Sequence, residues 1–402
     1  MSGPKDRVQV VIAGAGPVGC VAATYLAQRG IDVLVADAGS DSAQDLRAST
    51  FHPPTLEMLD SLGVADTLIA MGLKAPVYHW RDRRSGTVFA FDFAELEGDT
   101  RFPFRVQCEQ YHLAKMLSTR LAELDSVQLL FDHRVVYLEQ DDSGVNVTLE
   151  HMTGLRHVRA DYVIGADGAN SIVRKWLGIE FDGFTYPEKF LCLSTERPIE
   201  QDIPGLAHVN YVSDPDEWLV LLRVPTLWRV LVPANDGDVN GDLLSDEKKD
   251  KVFDGLVGPG QNVQTRHRTI YRVHQRVAKQ FRSGRVMLVG DAAHLNNPLG
   301  GFGMNSGVHD AFNLCEKLVE VLGGRADDSV LDLYDRQRRT VTHDFTQQQT
   351  IENMALMRAG QSDAHQKRLE TMRTLAEDPD KRRAYLLRQS MLTSLRDAAA
   401  IG

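Results

Sequence analysis

Three aspartates each follow directly after a short, mainly apolar run of the chain. Asp37 follows residues 31–36, Asp167 follows residues 160–166, and Asp291 follows residues 284–290. Open α/β sheets bind their ligands at the carboxyl ends of the strands, and a carboxylate there accepts hydrogen bonds from ligand hydroxyl groups. The three aspartates therefore indicate one extended, hydroxyl-rich ligand that crosses several strand ends.

The first aspartate closes a pattern typical of dinucleotide binding. Residues 8–13 predict a buried strand, residues 17–28 a helix, and residues 31–36 a second strand that ends at Asp37. The turn between the first strand and the helix consists of Gly14, Ala15, Gly16, Pro17, Val18 and Gly19. A G-x-G-x-x-G turn between a strand and a helix, with an acid after the next strand, is the dinucleotide fingerprint.

Each glycine of this turn has a physical role. Gly14 permits the tight turn, Gly16 allows a pyrophosphate to approach the backbone, and Gly19 lets the helix pack close to the strand. The helix N-terminus offers free N–H groups and a positive dipole end to the phosphates, and Asp37 can accept bonds from ribose hydroxyls. This motif alone does not distinguish NAD from FAD.

Two further strand ends favour FAD. Asp167-Gly168 precedes a helix that starts near Ser171, and Gly290-Asp291 precedes the glycine-rich segment 297–305 and a helix over 306–322. A glycine loop that opens a helix presents backbone N–H groups to an anion. NAD would not need these two sites, whereas the ribityl chain and ring of FAD would reach them.

Composition excludes several other classes of protein. The net charge of −10 argues against nonspecific nucleic-acid binding and against a basic membrane-facing patch. The four cysteines form no C-x-x-C pair and no Cys/His metal spacing, so we expect a cytoplasmic protein without a structural metal. Glycines and Pro17 interrupt the uncharged stretch 8–27, and no other segment approaches a membrane span.

We expect an α/β fold in which a Rossmann-like domain carries an inserted α+β unit. The dinucleotide domain is predicted to be discontinuous, because strand-like runs separated by Pro- and Asp-rich turns interrupt it. The predicted ranges are 1–75, 107–183 and 277–330 for this domain, 76–106 and 184–276 for an antiparallel substrate-binding sheet, and 331–402 for C-terminal helices.

Taken together, these motifs resemble those of the single-component FAD-dependent aromatic hydroxylases, over roughly residues 8–350. The resemblance rests on the glycine turn, on Asp167-Gly168 with Ser171 and Arg174, and on Gly290-Asp291 with the segment after it. In that segment the matching residues are Pro298, Gly301, Gly303 and Asn305. Many members carry Pro-Pro where this chain has Asn297-Pro298, which bears on the shape of the substrate side.

The resemblance implies a role for each matching position. Asp37 would bind the adenosine ribose and Arg47 the FAD phosphates, while Gln107 would contact the cofactor. Asp291 would bind the ribityl chain, and Asp167-Gly168 would serve both FAD and the nicotinamide cofactor. Pro298 would lie beside the flavin ring at the reaction centre. The remaining implied cofactor contacts, near the pyrimidine side of the ring, are Gly301, Gly303, Met304 and Asn305.

The implied activity is hydroxylation of a small aromatic or heteroaromatic substrate, such as a phenol or hydroxypyridine, with NADH or NADPH and O2, through a flavin hydroperoxide. Candidate substrate residues are Tyr211, Arg223 and Trp228, on strand-like runs of the inserted sheet. We expect a monomer or homodimer. Two alternatives stay open, namely an NAD(P)-dependent dehydrogenase, from the first motif alone, and a non-catalytic flavin-binding redox sensor.

Overall fold

A computed structural model describes residues 6–42, 48–214, 217–357 and 362–402 of the chain. The strands of the described residues are β1 (Arg7–Ala13), β2 (Val33–Ala36), β3 (Thr50–Phe51), β4 (Leu73–Ala75), β5 (Val77–Asp82), β6 (Val88–Asp92), β7 (Arg105–Gln107), β8 (Val127–Leu130), β9 (Arg134–Asp141), β10 (Gly144–His151), β11 (Gly154–Gly165), β12 (Phe181–Thr195), β13 (Val209–Ser213), β14 (Leu219–Arg223), β15 (Trp228–Asn235), β16 (His267–Ala278), β17 (Arg282–Ser283), β18 (Val286–Leu288) and β19 (His294–Leu295).

The helices of the same residues are α1 (Pro17–Ala27), α2 (Pro53–Ser61), α3 (Ala65–Met71), α4 (Gln110–Leu121), α5 (Ile172–Trp176), α6 (Ile199–Asp202), α7 (Asn240–Leu243), α8 (Asp246–Val257), α9 (Phe302–Leu322), α10 (Val330–Val341), α11 (Gln348–Met357), α12 (Ser362–Glu377), α13 (Pro379–Gln389) and α14 (Leu392–Ala400). Short 3-10 turns lie at Phe93–Leu96 and Gly290–Ala292, and a π-helical turn at Thr342–Gln347 separates α10 from α11.

The first sheet is mainly parallel and has the order β17-β18-β11-β1-β2-β8, with β10 and β9 added beside β11. Parallel pairing joins β18, β11, β1, β2 and β8. Every residue of β2 and β18 is buried, as expected for strands covered on both faces. Because these five strands are parallel, their carboxyl ends meet at one edge of the sheet. The predicted α/β fold with a Rossmann-like unit is confirmed.

The second sheet has the order β19-β16-β12-β15-β14-β13-β5-β6 and is antiparallel except between β13 and β5. Strands β5 and β6 form an antiparallel hairpin. The short strand β19 pairs with β16 of this sheet, although it follows the first sheet's β18 in the chain. The small third sheet has the order β3-β7-β4 and is antiparallel.

The second sheet is covered on both faces, so its two sets of alternating side chains have different neighbours. One face packs with aromatic residues and the C-terminal helices, in a cluster that includes Tyr78, Val220, Leu231 and Met372. The other face packs on α8 through Phe253. Within the described ranges no helix combines the length and the apolar character needed to cross a bilayer.

Two helices differ from the sequence prediction. The helix expected from residue 306 begins at Phe302, because Gly301 adopts a left-handed conformation (φ +72°) and serves as its N-cap. The C-terminal helices expected from residue 331 contain an irregularity that was not predicted, namely the π-helical turn Thr342–Gln347 between α10 and α11. Because α9 begins at Phe302, its first turn contains Gly303, Met304 and Asn305.

Candidate active site

The glycine turn between β1 and α1 leaves room where a phosphate group would need it. A Cβ on Gly14 would lie 2.4 Å from the Ala166 carbonyl oxygen, and one on Gly19 would lie 2.0 Å from the Gly14 carbonyl oxygen. These two positions require glycine. A Cβ on Gly16 would meet nothing within 4 Å, so the backbone there borders open space at the start of α1. This shape fits a pyrophosphate.

Asp37 is fixed beside this turn by backbone donors. Its Oδ2 accepts the Ala15 N–H at 2.7 Å, and its Oδ1 accepts the Gly39 N–H at 2.8 Å. A carboxylate has about four acceptor positions, so two oxygens with one such bond each can still accept ligand hydroxyls.

Asp167 has one oxygen used by the protein and one without a partner. Its Oδ2 accepts the N–H groups of Ile172 at 2.7 Å and Val173 at 3.1 Å, and so holds the start of α5. Its Oδ1 is buried and has no hydrogen-bond partner among the described residues. Because an unpaired buried acceptor is costly, this atom fits a site that a ligand donor completes.

Asp291 lies in the 3-10 turn after β18, and a buried charge network holds that turn. The Gly290 N–H donates to Asp310 Oδ2 at 3.1 Å, and His294 Nε2 contacts the same oxygen at 2.7 Å. Arg338 Nε donates to Asp310 Oδ1 at 2.7 Å. Burial alone would raise the pKa of Asp310, but His294 and Arg338 outweigh it and hold that pKa at about 2. The network joins the turn after β18, and β19, to α9 and α10 behind Asp291.

The glycine-rich loop is tied down at the start of α9. The Asn305 side chain accepts the His52 N–H at 2.9 Å and donates to the carbonyl oxygens of Thr50 at 2.8 Å and Gly301 at 2.7 Å. Asn305 is fully buried, so it holds the loop against β3. The N–H groups of this first helical turn are left to face an anion.

One cavity of about 770 Å³ connects these features to the second sheet. Its first part is bordered by the three strand ends that carry Asp37, Asp167 and Asp291. Its second part is an apolar wall, formed by Tyr211, Val220, Leu222, Leu231, Tyr271 and Val273. Pro298 and Leu299 also line the cavity. The space can therefore hold a long polar ligand and, beside it, a flat apolar one.

The structure brings most of the predicted site residues to this cavity. Those that line it are Gly14, Gly16, Pro17, Val18, Asp37, Asp167, Gly168, Asp291, Pro298, Gly301, Gly303, Met304 and Tyr211. Gly19 and Asn305 do not line it and act on its shape from behind. Arg47 lies outside the described residues.

Gln107 is also one layer behind the cavity wall. It is fully buried on β7, and its Oε1 accepts a hydrogen bond from the Thr50 hydroxyl at 3.1 Å. Its Nε2 has no hydrogen-bond partner among the described residues. Thr50 lines the cavity, so Gln107 reaches the ligand space through that side chain.

Arg223 and Trp228 are not at the cavity, contrary to the sequence prediction. Successive residues of a strand point to opposite faces, and these two belong to the face covered by α8. The Trp228 indole donates to Glu200, and the Arg223 guanidinium stacks over the Trp228 ring at 5.8 Å. Of the three predicted substrate residues, only Tyr211 lines the cavity.

Sequence reasoning missed two buried arginines, Arg229 and Arg105. Arg229, next to Trp228 in β15, therefore faces the cavity side and donates to the Ser49 hydroxyl at 3.2 Å. Arg105, on β7, is 1% exposed. Alternation along β15 could have indicated Arg229 once the face of Leu231 was known.

The structure also assembles three possible metal ligands that sequence spacing did not suggest. The ligand atoms of Cys108, Glu109 and His112 lie within 4.8 Å of one another at the start of α4. Burial raises the pKa of the Cys108 thiol to about 12, with a further contribution from Glu109. The thiol is therefore protonated near neutral pH.

Comparison with known proteins assigns the chain to a family. Residues 7–349 match the family described as "FAD binding domain". The chain belongs to this family. Para-nitrophenol 4-monooxygenase from Pseudomonas sp. (strain WBC-3) is 34% identical over 355 residues, which cover 87% of each protein. The 6-hydroxy-3-succinoylpyridine 3-monooxygenase HspB from Pseudomonas putida (strain DSM 28022 / S16) is 33% identical over 83% of this chain and 84% of its own.

A solved structure extends the similarity to the whole fold. The crystal structure of p-nitrophenol 4-monooxygenase PnpA from Pseudomonas putida DLL-E4 superimposes with a TM-score of 0.90 at 30% identity, and covers 98% of both chains. The predicted resemblance to FAD-dependent aromatic hydroxylases is thus confirmed, and the chain is a flavoprotein enzyme that binds FAD.

Proposed function

We propose that this enzyme hydroxylates a small phenol or hydroxypyridine with O2, uses NADH or NADPH as reductant, and carries FAD as its resident cofactor. The observation that supports this most directly is the single cavity that joins three strand-end carboxylates to an apolar wall. The names of the two relatives describe action on a phenol and on a hydroxypyridine, which fits such a wall.

The described residues fit FAD over its whole length. The open backbone at Gly16 and the start of α1 would hold the pyrophosphate, and Asp37 would bind the adenosine ribose. Asp291 would bind the ribityl chain, and the unpartnered Oδ1 of Asp167 would accept a further ligand hydroxyl. Bound FAD supplies electron transfer and oxygen activation, which no protein side chain provides.

The chain's own residues orient the reactants and exclude water. The N–H groups in the first turn of α9, near Met304, would stabilise negative charge on the adjacent ring, because they lie at the positive end of a 21-residue helix. Pro298 lines the cavity, and it would contact the flavin ring and the substrate there. Tyr211, Leu222 and Leu231 would cover the aromatic substrate and keep water away from it.

We extend the proposal to organisation and location. The two large sheets support a discontinuous FAD-binding domain with an inserted substrate-binding sheet, within the ranges predicted from the sequence. All four cysteines are buried free thiols, which favours a reducing, cytoplasmic setting. We expect a monomer or homodimer, which sedimentation equilibrium of the holoprotein would distinguish.

The test is the visible absorption spectrum of the purified protein, followed by oxidation of NADH and of NADPH in air with a panel of phenols and hydroxypyridines. We expect flavin bands, and one substrate that accelerates reductant loss and yields a hydroxylated product. A colourless protein that stays without flavin after FAD is added would overturn the proposal. Slow reductant oxidation that is indifferent to every aromatic would indicate a redox sensor instead.

A further inference from the structure

Arg105 is a buried cation with unused hydrogen-bond donors. Arg105 is 1% exposed, and one of its guanidinium nitrogens, Nη2, donates to the Gln389 carbonyl oxygen at 2.8 Å. The other two nitrogens, Nε and Nη1, are buried and have no hydrogen-bond partner among the described residues. An arginine is always charged in a protein, so this is an incompletely paired buried charge.

The residues that the structure describes around Arg105 do not supply the missing negative charge. No carboxylate of the described residues lies within 4.0 Å of the Arg105 guanidinium. Burial raises the pKa of Tyr385 to about 12 and raises that of Tyr78 well above its usual value, so both neighbouring phenols are neutral. Burial, followed by the charge of Arg105, lowers the pKa of His52 well below its usual value, so this ring is neutral too.

Arg105 lies one aromatic layer behind the apolar wall of the cavity. Its guanidinium carbon is 4.8 Å from the centre of the Tyr78 ring and 4.9 Å from that of Phe93. The Tyr78 ring meets the Tyr211 ring edge-on, with 6.1 Å between centres, and Tyr211 lines the cavity.

A chain of hydrogen bonds makes a second connection to the cavity. Gln389, whose carbonyl oxygen binds Arg105, donates through its side chain to Asn353 Oδ1 at 2.8 Å. Asn353 Nδ2 in turn donates to the carbonyl oxygen of Leu299 at 3.2 Å, and Leu299 lines the cavity beside Pro298. Both connections place the positive charge at the substrate end of the cavity and away from the glycine turn.

An unpaired buried charge is unfavourable, since the ion loses its hydration and no opposite charge compensates for that loss. The chain has 55 acidic residues against 45 lysines and arginines, so acidic side chains are abundant, yet none of those in the described ranges forms an ion pair with Arg105. A ligand that brings its own negative charge to the Tyr211 end of the cavity reduces this cost whenever it binds.

We propose that Arg105 is a positioning residue that serves as counter-ion for an anionic oxygen of the aromatic substrate, a phenolate or a carboxylate, at the Tyr211 end of the cavity. This inference rests on the proposed hydroxylase function. For a phenol, binding as the anion releases the O–H proton to bulk water, and the electron pair stays on the oxygen. An opposite charge in a poorly solvated site favours the ionised form and lowers its pKa.

The test measures ligand binding to the holoprotein, through the visible spectrum of the flavin and of the ligand. Three probes separate the possible charges, namely 4-nitrophenol for a phenolate, 4-methoxybenzoate for a carboxylate, and 4-nitroanisole for neither. In Arg105→Gln we expect the Kd of the matching anion to rise roughly ten- to a hundredfold, since one pKa unit corresponds to a tenfold change. The Kd of 4-nitroanisole should change less than about threefold.

Arg223→Gln is the matched control, because Arg223 also stacks on an aromatic ring but lies on the sheet face away from the cavity. It should leave all three Kd values unchanged. Equal losses for the anionic and the neutral probes in Arg105→Gln, or no loss for any probe, would show that Arg105 has only a structural role.

The wild-type protein provides a measurement that does not depend on folding of the variant. If Arg105 is the counter-ion for a phenolate, the pKa of bound 4-nitrophenol is lowered relative to water, and an unshifted or raised pKa contradicts a phenolate. Tighter binding of 4-methoxybenzoate than of 4-nitroanisole supports a carboxylate, and failure of both comparisons overturns the assignment. A flavin-containing wild type that binds none of the probes would instead remove the proposed substrate class.

Discussion

At the scale of single residues, the cavity is distinguished by carboxylates that the protein uses only in part. Asp167 commits one oxygen to the start of α5 and leaves the other buried without a partner among the described residues. Asp37 holds two backbone N–H groups at the edge of the turn. In both cases the fold fixes the carboxylate's orientation, and this orientation is what a ligand with several hydroxyl groups requires.

Asp291→Ala should weaken FAD retention while the protein stays folded. Asp291 borders the cavity after β18, and a hydrogen bond to a charged group contributes about 1.5–3 kcal/mol. We therefore expect the Kd for FAD, measured by flavin fluorescence, to rise roughly ten- to a hundredfold. The exposed Asp397→Ala, in the C-terminal helix α14, is the control. Unchanged flavin occupancy in Asp291→Ala would show that this assignment is wrong.

The sequence placed residues at the cavity where the signal was local, but residue type alone did not indicate which face of a sheet a side chain occupies. The glycines and aspartates at the strand ends carry their own pattern, and the structure brings them to one cavity. Arg223 and Trp228 were chosen by residue type, but alternation along β14 and β15 turns them toward α8. Arg105 could not be identified because its hydrogen-bond partner, the Gln389 carbonyl oxygen, lies 284 residues away in the chain.

At the scale of elements, the glycine turn between β1 and α1 separates two kinds of requirement. Gly19 is needed for packing, because a Cβ there would meet the Gly14 carbonyl oxygen at 2.0 Å. Gly16 is needed for access only, because a Cβ there would enter open space. Glycine is therefore required for packing at position 19 and for ligand binding at position 16.

A pair of alanine variants tests this distinction. Gly19→Ala should lower the free energy of unfolding by about 3 kcal/mol or more, because the backbone must move to relieve the overlap. Gly16→Ala should unfold at the wild-type denaturant concentration but raise the Kd for FAD more than about tenfold. Gly241→Ala, an exposed helical position with no contact for a new Cβ, is the control for both measurements. Loss of stability in Gly16→Ala would contradict the assignment.

A second element-level prediction concerns the buried network behind Asp291. Asp310→Asn removes the charge that compensates His294 and Arg338, and it should lower the free energy of unfolding by about 3–5 kcal/mol. Urea unfolding of the flavin-free protein provides the measurement. Glu320→Gln, which breaks the exposed pair with Arg325, is the control and should cause no measurable change. A wild-type unfolding curve for Asp310→Asn would mean that the network does not hold β18, α9 and α10 together.

The element boundaries show what sequence patterns omit. The dinucleotide unit was predicted closely because its strand, turn and helix are consecutive in the chain. The start of α9 at Phe302 depends on the left-handed conformation of Gly301, which a run of glycines does not specify. The π-helical turn Thr342–Gln347 has no sequence signature either. It is stabilised by contacts such as the hydrogen bond from Gln347 Nε2 to the carbonyl oxygen of Leu295, a residue that lines the cavity.

At the scale of the whole molecule, stability is coupled to pH through histidines that are neutral in the fold. Burial, together with the nearby charge of Arg338, lowers the pKa of His309 to about 3, and its ring contacts the Thr55 hydroxyl at 3.2 Å. The unfolded chain takes up a proton at this residue below its ordinary pKa of about 6.5, whereas the folded chain does not. Stability is therefore lost as pH falls from about 6.5 toward 3.

The unfolding free energy of a His309→Gln variant should depend less on pH than that of the wild type. In His309→Gln, one contribution of up to about 1.4 kcal/mol per pH unit should vanish from the slope of unfolding free energy between pH 6 and 4. Urea unfolding at a series of pH values measures the slope. The exposed His267→Gln is the matched control. A slope in His309→Gln equal to that of the wild type would show that protonation of His309 does not limit acid stability.

The cavity described above takes its two ends from two different sheets. The strand ends of the first sheet border the part that fits the dinucleotide, while the second sheet provides the apolar wall. Substitutions at Leu222 or Tyr271 can therefore change which ring is accepted without altering the glycine turn or the strand-end aspartates. Because of this division, a duplicated gene can acquire a new substrate through a few codon changes that affect only the second sheet. The inherited cofactor site then stays unchanged.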